Sequence, residues 1–172
     1  KSYVFATKIS DNSEVIFSSG KPFRGYAGRP YKSVINFVDS TSDINGIAAQ
    51  KNGPYLFTAR AKFNSISVTN KATGDSITTI PIGSPYGLAC DEQDNLIVCT
   101  GSNVNKYKVN ADGSIDMLLP INGFIRPISV SAKNGKILVA DVADQTIKAF
   151  DYNGNSLWQF GQINGQMESA GI

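Results

Sequence analysis

Short apolar runs separated by polar turns recur along the chain. Between residues 84 and 113 the pattern comprises the apolar runs 88–90 and 96–99 and the alternating segment 106–109. The alternation predicts a half-exposed strand, and the continuous run 96–99 predicts a strand covered on both faces. The pair Asp112-Gly113 predicts a tight hairpin turn, because glycine accepts positive φ without steric cost. This stretch therefore predicts a small antiparallel sheet.

The same pattern returns at a spacing near 41 residues. At this spacing the run 55–59 aligns with 96–100 and then with 137–141, and the run 46–49 aligns with 87–90. A repeat of about forty residues with four strand signals is typical of a β-propeller blade, whose flat faces are covered by its neighbours. We therefore predict an all-β, propeller-like fold built from four-stranded antiparallel blades.

The repeat predicts that the 172 residues form one propeller or propeller segment. The predicted blades, numbered 1 to 4, span about 1–38, 44–80, 85–119 and 127–160, and 161–172 would link to a further blade. A propeller normally closes, because open sheet edges invite pairing with other chains. The chain could be part of a larger propeller, close as a four-bladed ring, or pair with a second copy. We favour the first arrangement, because the pattern stops in the middle of a unit.

Two of the repeat units, which we number as the blades they would form, resemble NHL-type propellers. The repeat of that family runs Pro-x-Gly-apolar-Ala-x-Asp, then Gly-Asn and an apolar run ending in Val-Ala-Asp, then Phe-Asp-x-x-Gly. Unit 3 matches at Pro85, Gly87, Leu88, Ala89, Asp91, Asn95, Leu96 and Val98, and unit 4 at Pro127, Val130, Val139, Ala140, Asp141, Ile147, Phe150, Asp151 and Gly154. Unit 2 matches more weakly. The resemblance covers about three-quarters of the chain; it implies the fold and says little about function, because one propeller fold serves many activities.

The composition excludes several kinds of catalytic site and metal site. The chain contains no His, which excludes Ser-His-Asp and Cys-His catalysis as well as histidine–zinc sites. The zinc-dependent lyase activity of propellers related to NHL repeats therefore does not carry over. Five carboxylates lie in or beside predicted turns, where capping is the expected role of Asp: Asp91, Asp94, Asp141, Asp144 and Asp151. We predict no cofactor and no metal site.

The two cysteines are predicted to be free and buried. In a hairpin that turns at 93–94, Cys90 would lie opposite Ile97 and Cys99 opposite Leu88. The two side chains would then share a sheet face on a diagonal, too far apart for a relaxed disulfide. Two free cysteines do not decide the cellular compartment of the protein. An extracellular or cell-surface location is slightly favoured.

One stretch combines cations with aromatic rings. It contains Lys21, Phe23, Arg24 and Tyr26, and the corresponding position of unit 2 carries Arg60 and Lys62. Cations pair with phosphates or acidic groups, while rings stack on planar groups. We predict these six residues as a binding patch on one propeller face. The alternative is that the rings pack between blades and the cations are solvated. The corresponding loops are neutral in unit 3 and acidic in unit 4, so the face is expected to be polarised.

These observations favour a non-catalytic binding or scaffold module that recognises a protein, a glycan or another macromolecule through one face. The net charge of +2 makes nucleic acid a less favoured partner, although an anionic ligand fits the patch. No apolar run approaches the ~18 residues of a membrane helix. The alternative is a segment of a six-bladed hydrolase or lactonase-like propeller, which needs inward-pointing Glu, Asp and Asn on its first strands. The sequence alone decides neither whether the chain is an enzyme nor which ligand it binds.

Overall fold

The structure is a computed structural model that describes residues 43–163 and 166–171. In these ranges the chain is almost wholly antiparallel sheet, with one short 3₁₀ turn at Ala61–Phe63. The predicted all-β class is confirmed. The predicted blade 1, at 1–38, lies outside the described residues.

The described strands form three antiparallel sheets that follow one another along the chain, each with its strands in sequence order. Blade 2 contains β1 (Gly46–Ala49), β2 (Tyr55–Arg60), β3 (Ser65–Asn70) and β4 (Ser76–Pro81). Blade 3 contains β5 (Pro85–Cys90), β6 (Leu96–Thr100), β7 (Asn103–Val109) and β8 (Ile115–Ile121). Blade 4 contains β9 (Pro127–Lys133), β10 (Lys136–Asp141), β11 (Thr146–Asp151), β12 (Ser156–Ile163) and β13 (Gln166–Gly171).

Blade 4 differs from the other two by its fifth strand. Within the segment predicted to link to a further blade, 161–172, β12 continues to Ile163 and β13 pairs antiparallel with it. Backbone hydrogen bonds that would be unpaired at the outer edge of β12 are thereby satisfied. The segment is used as part of the sheet of blade 4.

Two apolar cores lie between the three blades. The first joins blades 2 and 3 and includes Phe57, Val68 and Val98; the second joins blades 3 and 4 and includes Ile97 and Val139. All five side chains are completely buried. The continuous apolar run in β6 is therefore explained as predicted, because residues 96 and 98 enter one core while 97 and 99 enter the other.

The register of the second strands corrects the 41-residue alignment. Gly46 pairs with Ala59 in blade 2, and Ser129 pairs with Ala140 in blade 4. In blade 3 Leu88 pairs with Val98, so that Gly87, the next residue along, lies beside Cys99 at the bulge before Leu88. Ala59 therefore corresponds to Cys99 at a spacing of 40 residues. The reason is that six residues separate the last pair of the first hairpin in blade 2, Ala49 and Leu56, whereas five separate Cys90 and Leu96 in blade 3. A slip of one residue exchanges the two faces of a strand, so the 41-residue alignment placed Phe57 on the wrong face.

The same register overturns the expected pairing of the cysteines. Cys90 pairs with Leu96, and Ala89 pairs with Ile97, so the predicted pairing was wrong by one residue. Cys90 packs against the core between blades 2 and 3, whereas Cys99 belongs to the core between blades 3 and 4. The two thiols therefore lie on opposite faces of one sheet. Both are free, as predicted.

Glycines allow the first strands of neighbouring blades to approach closely. A β-carbon added to Gly46 would lie 2.2 Å from the carbonyl oxygen of Tyr86, and one added to Gly87 would lie 2.7 Å from the Cα of Ser129. Neither position tolerates a side chain without movement of the backbone. Gly46, Gly87 and Ser129 thus occupy equivalent places in three successive first strands, and in blade 4 the place is held by a residue with a β-carbon.

Candidate functional site

The predicted binding residues of blade 2 lie at the edge where the second strand turns into the third. Every blade has such an end, where its second strand turns into its third, and we name it the β2–β3 edge after the strands of blade 2. It carries the turn 61–64 in blade 2, the turn 101–102 between β6 and β7 in blade 3, and the turn 142–145 between β10 and β11 in blade 4. Arg60 is the last residue of β2, and Lys62 lies in the 3₁₀ turn that follows. Asn64 ends this turn in the left-handed region, at φ 48°, which asparagine tolerates better than most residues. The local sequence therefore sets two cations within one tight turn.

An aromatic ring completes this group. The Arg60 guanidinium lies 4.6 Å from the centre of the Phe63 ring, and its Nη1 donates a hydrogen bond to the Ser67 hydroxyl at 3.3 Å. Phe63 is 44% exposed, and the Lys62 side chain is exposed as well. We call Arg60, Lys62 and Phe63 the basic corner. It presents a stacked cation and ring next to a second, solvated cation.

Two polar side chains before β1 hold the backbone of the basic corner. The backbone N–H of Ala61 donates to Asn45 Oδ1 at 3.0 Å, and the N–H of Lys62 donates to the Asp43 carboxylate. These bonds satisfy N–H groups that a short 3₁₀ turn leaves without an internal partner. The corner is therefore anchored to the start of the blade, so little ordering is needed when it meets a ligand.

Of the six predicted binding residues, the structure brings together Arg60 and Lys62. The other four, Lys21, Phe23, Arg24 and Tyr26, lie outside the described residues, and their participation stays a prediction. Phe63 was not among the predicted residues. Its signal in the sequence is its place directly after two closely spaced cations.

At the β2–β3 edge of blade 4, the predicted acidic loop is largely neutralised from within. Asp141 is buried and accepts hydrogen bonds from the backbone N–H groups of Ile125 and Arg126, both at 2.8 Å. Lys148 Nζ lies 3.1 Å from Asp141 and 2.5 Å from Asp144. The loop was predicted to be acidic, but its charge at the surface is reduced, because two carboxylates share one ammonium and one of them faces inward.

The pKa values follow from these contacts. Desolvation opposes ionisation of Asp141, but the N–H groups of Ile125 and Arg126 together with Lys148 outweigh it and lower the pKa of this carboxyl. Desolvation likewise opposes the charged form of Lys148, while Asp144 and Asp141 outweigh it and raise the pKa of the ammonium. Asp141 and Lys148 are therefore both charged at neutral pH, and their role is to fix the link between blades 3 and 4.

The remaining predicted carboxylates cap turns at the opposite edge of the blades. Asp91 accepts the N–H groups of Gln93 and Asn95, and Asp151 does the same for its own turn. Asp94 reaches into blade 2, where its carboxylate accepts the backbone N–H groups of residues 51–53. The predicted capping role is confirmed. Within 43–161, no three His, Cys, Asp or Glu side chains gather in a way that could hold a metal ion.

Charged groups also link blades 3 and 4. Lys106 is nearly buried, lies 2.9 Å from the Asp91 carboxylate and stands 4.7 Å from the centre of the Tyr152 ring. The Tyr152 hydroxyl donates a short hydrogen bond to Glu92, which lowers the pKa of that carboxyl. These contacts bind one blade to the next. In the basic corner, by contrast, the Lys62 ammonium and the Phe63 ring both lie at the surface.

Comparison with known proteins supports the fold. Hydrazine synthase of Kuenenia stuttgartiensis superposes with a TM-score of 0.60 at 13% identity, covering 77% of this chain and 40% of that one. A functionally unknown protein of Desulfotomaculum acetoxidans gives a TM-score of 0.60 at 16% identity, covering 82% and 50%. The WD40 β-propeller domain of Doa1 gives 0.58 at 15% identity, covering 72% and 42%.

The chain spans between two fifths and half the length of the first two of these structures. No protein-family profile matches the sequence, and no curated protein does. In the part of the chain that the structure describes, no helix is long and apolar enough to cross a membrane. At these identities the likeness concerns the fold alone. The described part of the chain has a propeller-like fold made of successive antiparallel sheets, with four strands in blades 2 and 3 and five in blade 4.

Proposed function

We propose that this protein is a non-catalytic binding module of NHL-like propeller type, and that it recognises an anionic protein or glycan through the β2–β3 edge. The observation that carries the proposal is the basic corner, in which Arg60 stacks on the half-exposed Phe63 beside the solvated Lys62. Guanidinium and ammonium groups pair with carboxylates, sulfates and phosphates. The adjacent ring offers apolar contact to a planar group or a sugar face.

Preorganisation supports the same proposal. The hydrogen bonds from Ala61 and Lys62 to the start of the blade fix the turn before any ligand arrives. The Phe63 ring in turn restrains the guanidinium of Arg60, which reduces the entropy lost on binding. A solvated lysine on a mobile loop would lack both advantages.

The predicted residues Lys21, Phe23, Arg24 and Tyr26 would extend this surface with two more cations and two more rings. We include them because their sequence repeats the combination found at the basic corner. Their contribution is a separate element of the proposal and is tested by separate variants.

The test compares two double variants that change the net charge equally. Arg60→Gln with Lys62→Gln alters the basic corner, whereas Lys51→Gln with Lys108→Gln alters two exposed cations toward the opposite edge of the blades. Binding is measured against heparin as an anionic glycan and polyglutamate as an acidic peptide, over a series of salt concentrations. We expect the first variant to bind several-fold more weakly with a shallower salt dependence, because fewer counterions are displaced.

The control variant should retain most of the affinity. Equal losses in both variants would show that binding follows net charge and not the basic corner, which would refute the proposal. Arg24→Gln with Lys21→Gln then measures the contribution of the predicted extension.

The enzymatic alternative has no comparable support in the described residues. A lactonase-like centre would take its carboxylates and amides from the first strands of the blades. Those strands are β1, β5 and β9, and they carry Gly, Ala, Ile, Leu, Val, Ser, Pro, Tyr, Cys and Lys. We therefore develop only the binding proposal.

A further inference from the structure

Asparagine followed directly by glycine recurs along the chain. The described residues contain five such pairs: Asn45-Gly46, Asn52-Gly53, Asn122-Gly123, Asn134-Gly135 and Asn153-Gly154. Glycine has no side chain to shield its backbone nitrogen, so this nitrogen can approach the side-chain amide of the asparagine before it. Asparagine is one of the thermolabile residue types. The five pairs share the same local chemistry, so any difference in their reactivity in the folded protein comes from their surroundings.

Two of the pairs have the glycine N–H engaged in a turn. The Gly53 N–H donates to Asp94 Oδ2 of the neighbouring blade at 2.9 Å, and the Gly154 N–H donates to the carbonyl oxygen of Asp151 at 3.1 Å. The glycine nitrogen attacks the asparagine only after its peptide unit has rotated and lost the proton. In both pairs a hydrogen bond must break first, which slows the reaction.

Two further pairs are held in other ways. The Gly135 N–H forms a hydrogen bond to the phenol oxygen of Tyr152. The side-chain oxygen of Asn45 accepts the Ala61 N–H at 3.0 Å, which holds this amide toward the turn that follows β2. In these pairs, too, one of the two reacting groups is already occupied.

The pair Asn122-Gly123 differs from these four. It lies in the link between β8 and β9, and both of its residues are exposed. Among residues 43–163 and 166–171, no hydrogen bond uses the Asn122 side chain, the Asn122 carbonyl oxygen or the Gly123 N–H. A β-carbon added to Gly123 would meet no atom within 4 Å beyond its chain neighbours. The Gly123 carbonyl oxygen accepts Lys148 Nζ at 2.7 Å, but this oxygen belongs to the next peptide unit.

We propose that Asn122 is a site of spontaneous deamidation in the folded protein, and that it reacts faster than the other four asparagines. The Gly123 nitrogen loses its proton to solvent and bonds to Asn122 Cγ. The bond from Cγ to the side-chain nitrogen then breaks, and ammonia leaves with a proton from water. Water opens the resulting five-membered succinimide at either carbonyl, which gives aspartate or isoaspartate. The overall reaction consumes one water and releases one ammonia, without a change of oxidation state.

The isoaspartate product would strain the link between blades 3 and 4, because its backbone is longer by one carbon atom. The link is anchored on both sides of the pair, since Ile121 and Phe124 are buried in the core between these blades. We therefore expect the isoaspartate form to unfold at a lower urea concentration than the variant Asn122→Asp, whose backbone length is unchanged. Equal urea midpoints for the two forms would contradict this anchoring of the link.

The experiment follows each asparagine in the folded protein at mildly alkaline pH. Samples are digested at low pH, which limits further reaction, and peptide mapping by mass spectrometry measures the conversion of each pair over time. We expect Asn122 to convert several-fold faster than the other four. In denaturant the hydrogen bonds are lost, so the five rates should become similar. Equal rates in the folded protein, or faster conversion at any of the other four, would overturn the proposal.

Two variants test the cause of the difference. Asn122→Gln keeps an amide but would need a larger ring, so the release of ammonia from the folded protein should fall. Asp94→Gly removes the carboxylate that holds the Gly53 N–H, and glycine tolerates the φ of 62° at this position. Asn52 should then convert several-fold faster while the rate at Asn122 is unchanged, with circular dichroism checking that the strands are retained. An unchanged rate at Asn52 would show that these hydrogen bonds do not govern the reaction and would refute the proposal.

Discussion

A pair of equivalent positions in blades 3 and 4 tests the packing of successive sheets. Ile97 and Leu138 occupy the same place in β6 and β10, but Ile97 is completely buried between two blades while Leu138 is 36% exposed. We compare Ile97→Ala with Leu138→Ala. Each substitution removes the same number of carbon atoms, so the difference between them reports the environment of the site.

The cost of each substitution can be worked out from burial. Ile97→Ala loses roughly 2.4 kcal/mol of transfer free energy at about 0.8 kcal/mol per methylene, and the closed cavity brings the total to about 2–5 kcal/mol. At Leu138 only about two-thirds of the side chain is covered, which leaves about 1.5 kcal/mol of transfer free energy. No closed cavity forms there, because the site opens to solvent. Ile97→Ala should therefore cost about 1–3 kcal/mol more than Leu138→Ala.

The assay is urea unfolding followed by far-ultraviolet circular dichroism. All variants are measured at the same protein concentration, so that their apparent stabilities are directly comparable. The m-value of each variant is compared with wild type, so that a change in the midpoint reports stability and not a change in the unfolding reaction. Equal losses, or a larger loss at Leu138, would show that blade 4 is not the uncovered member of the series and would refute the assignment of faces.

Two further predictions concern ionisable groups. Desolvation raises the pKa of Cys90 and of Cys99 to about 12, so a thiol reagent at pH 8 should label neither in the native protein and both in denaturant. Because an unfolded thiol ionises near pH 8.5, stability should fall as pH rises from there towards 12, and Cys99→Ala should reduce that fall. Labelling of Cys99 in the native protein would contradict its placement between two blades. Asp141 has a lowered pKa, so its contribution to stability is present above the unfolded value of about 3.9 and is lost as pH falls through the lower folded value. Asp141→Asn should therefore destabilise the protein at pH 7 and flatten the acid limb of its stability curve; an unchanged acid limb in urea unfolding would count against the contacts to Ile125 and Arg126.

Much of the candidate site could be anticipated from local sequence. The cations at 60 and 62 follow directly after a strand signal, which placed them in a turn at a blade edge. The stacking of Arg60 on Phe63 could not be anticipated, because it depends on the 3₁₀ geometry of that turn. The neutralisation of Asp141 was also beyond local reasoning, since its partners come from the link before β9 and from β11.

What the sequence by itself determined is the strand pattern and its recurrence. Alternation and apolar runs depend on the period of two residues in a strand, which is a local property. The all-β class and the burial of the run 96–99 therefore followed from the sequence. Only the tertiary structure decided which face of each strand meets which neighbour. One extra residue between the last paired residues of the first hairpin in blade 2 shifts the alignment from 41 to 40 and exchanges the faces of β2. A single step of register moves Cys90 and Cys99 to opposite sides of a sheet, because neighbouring residues on a strand point in opposite directions.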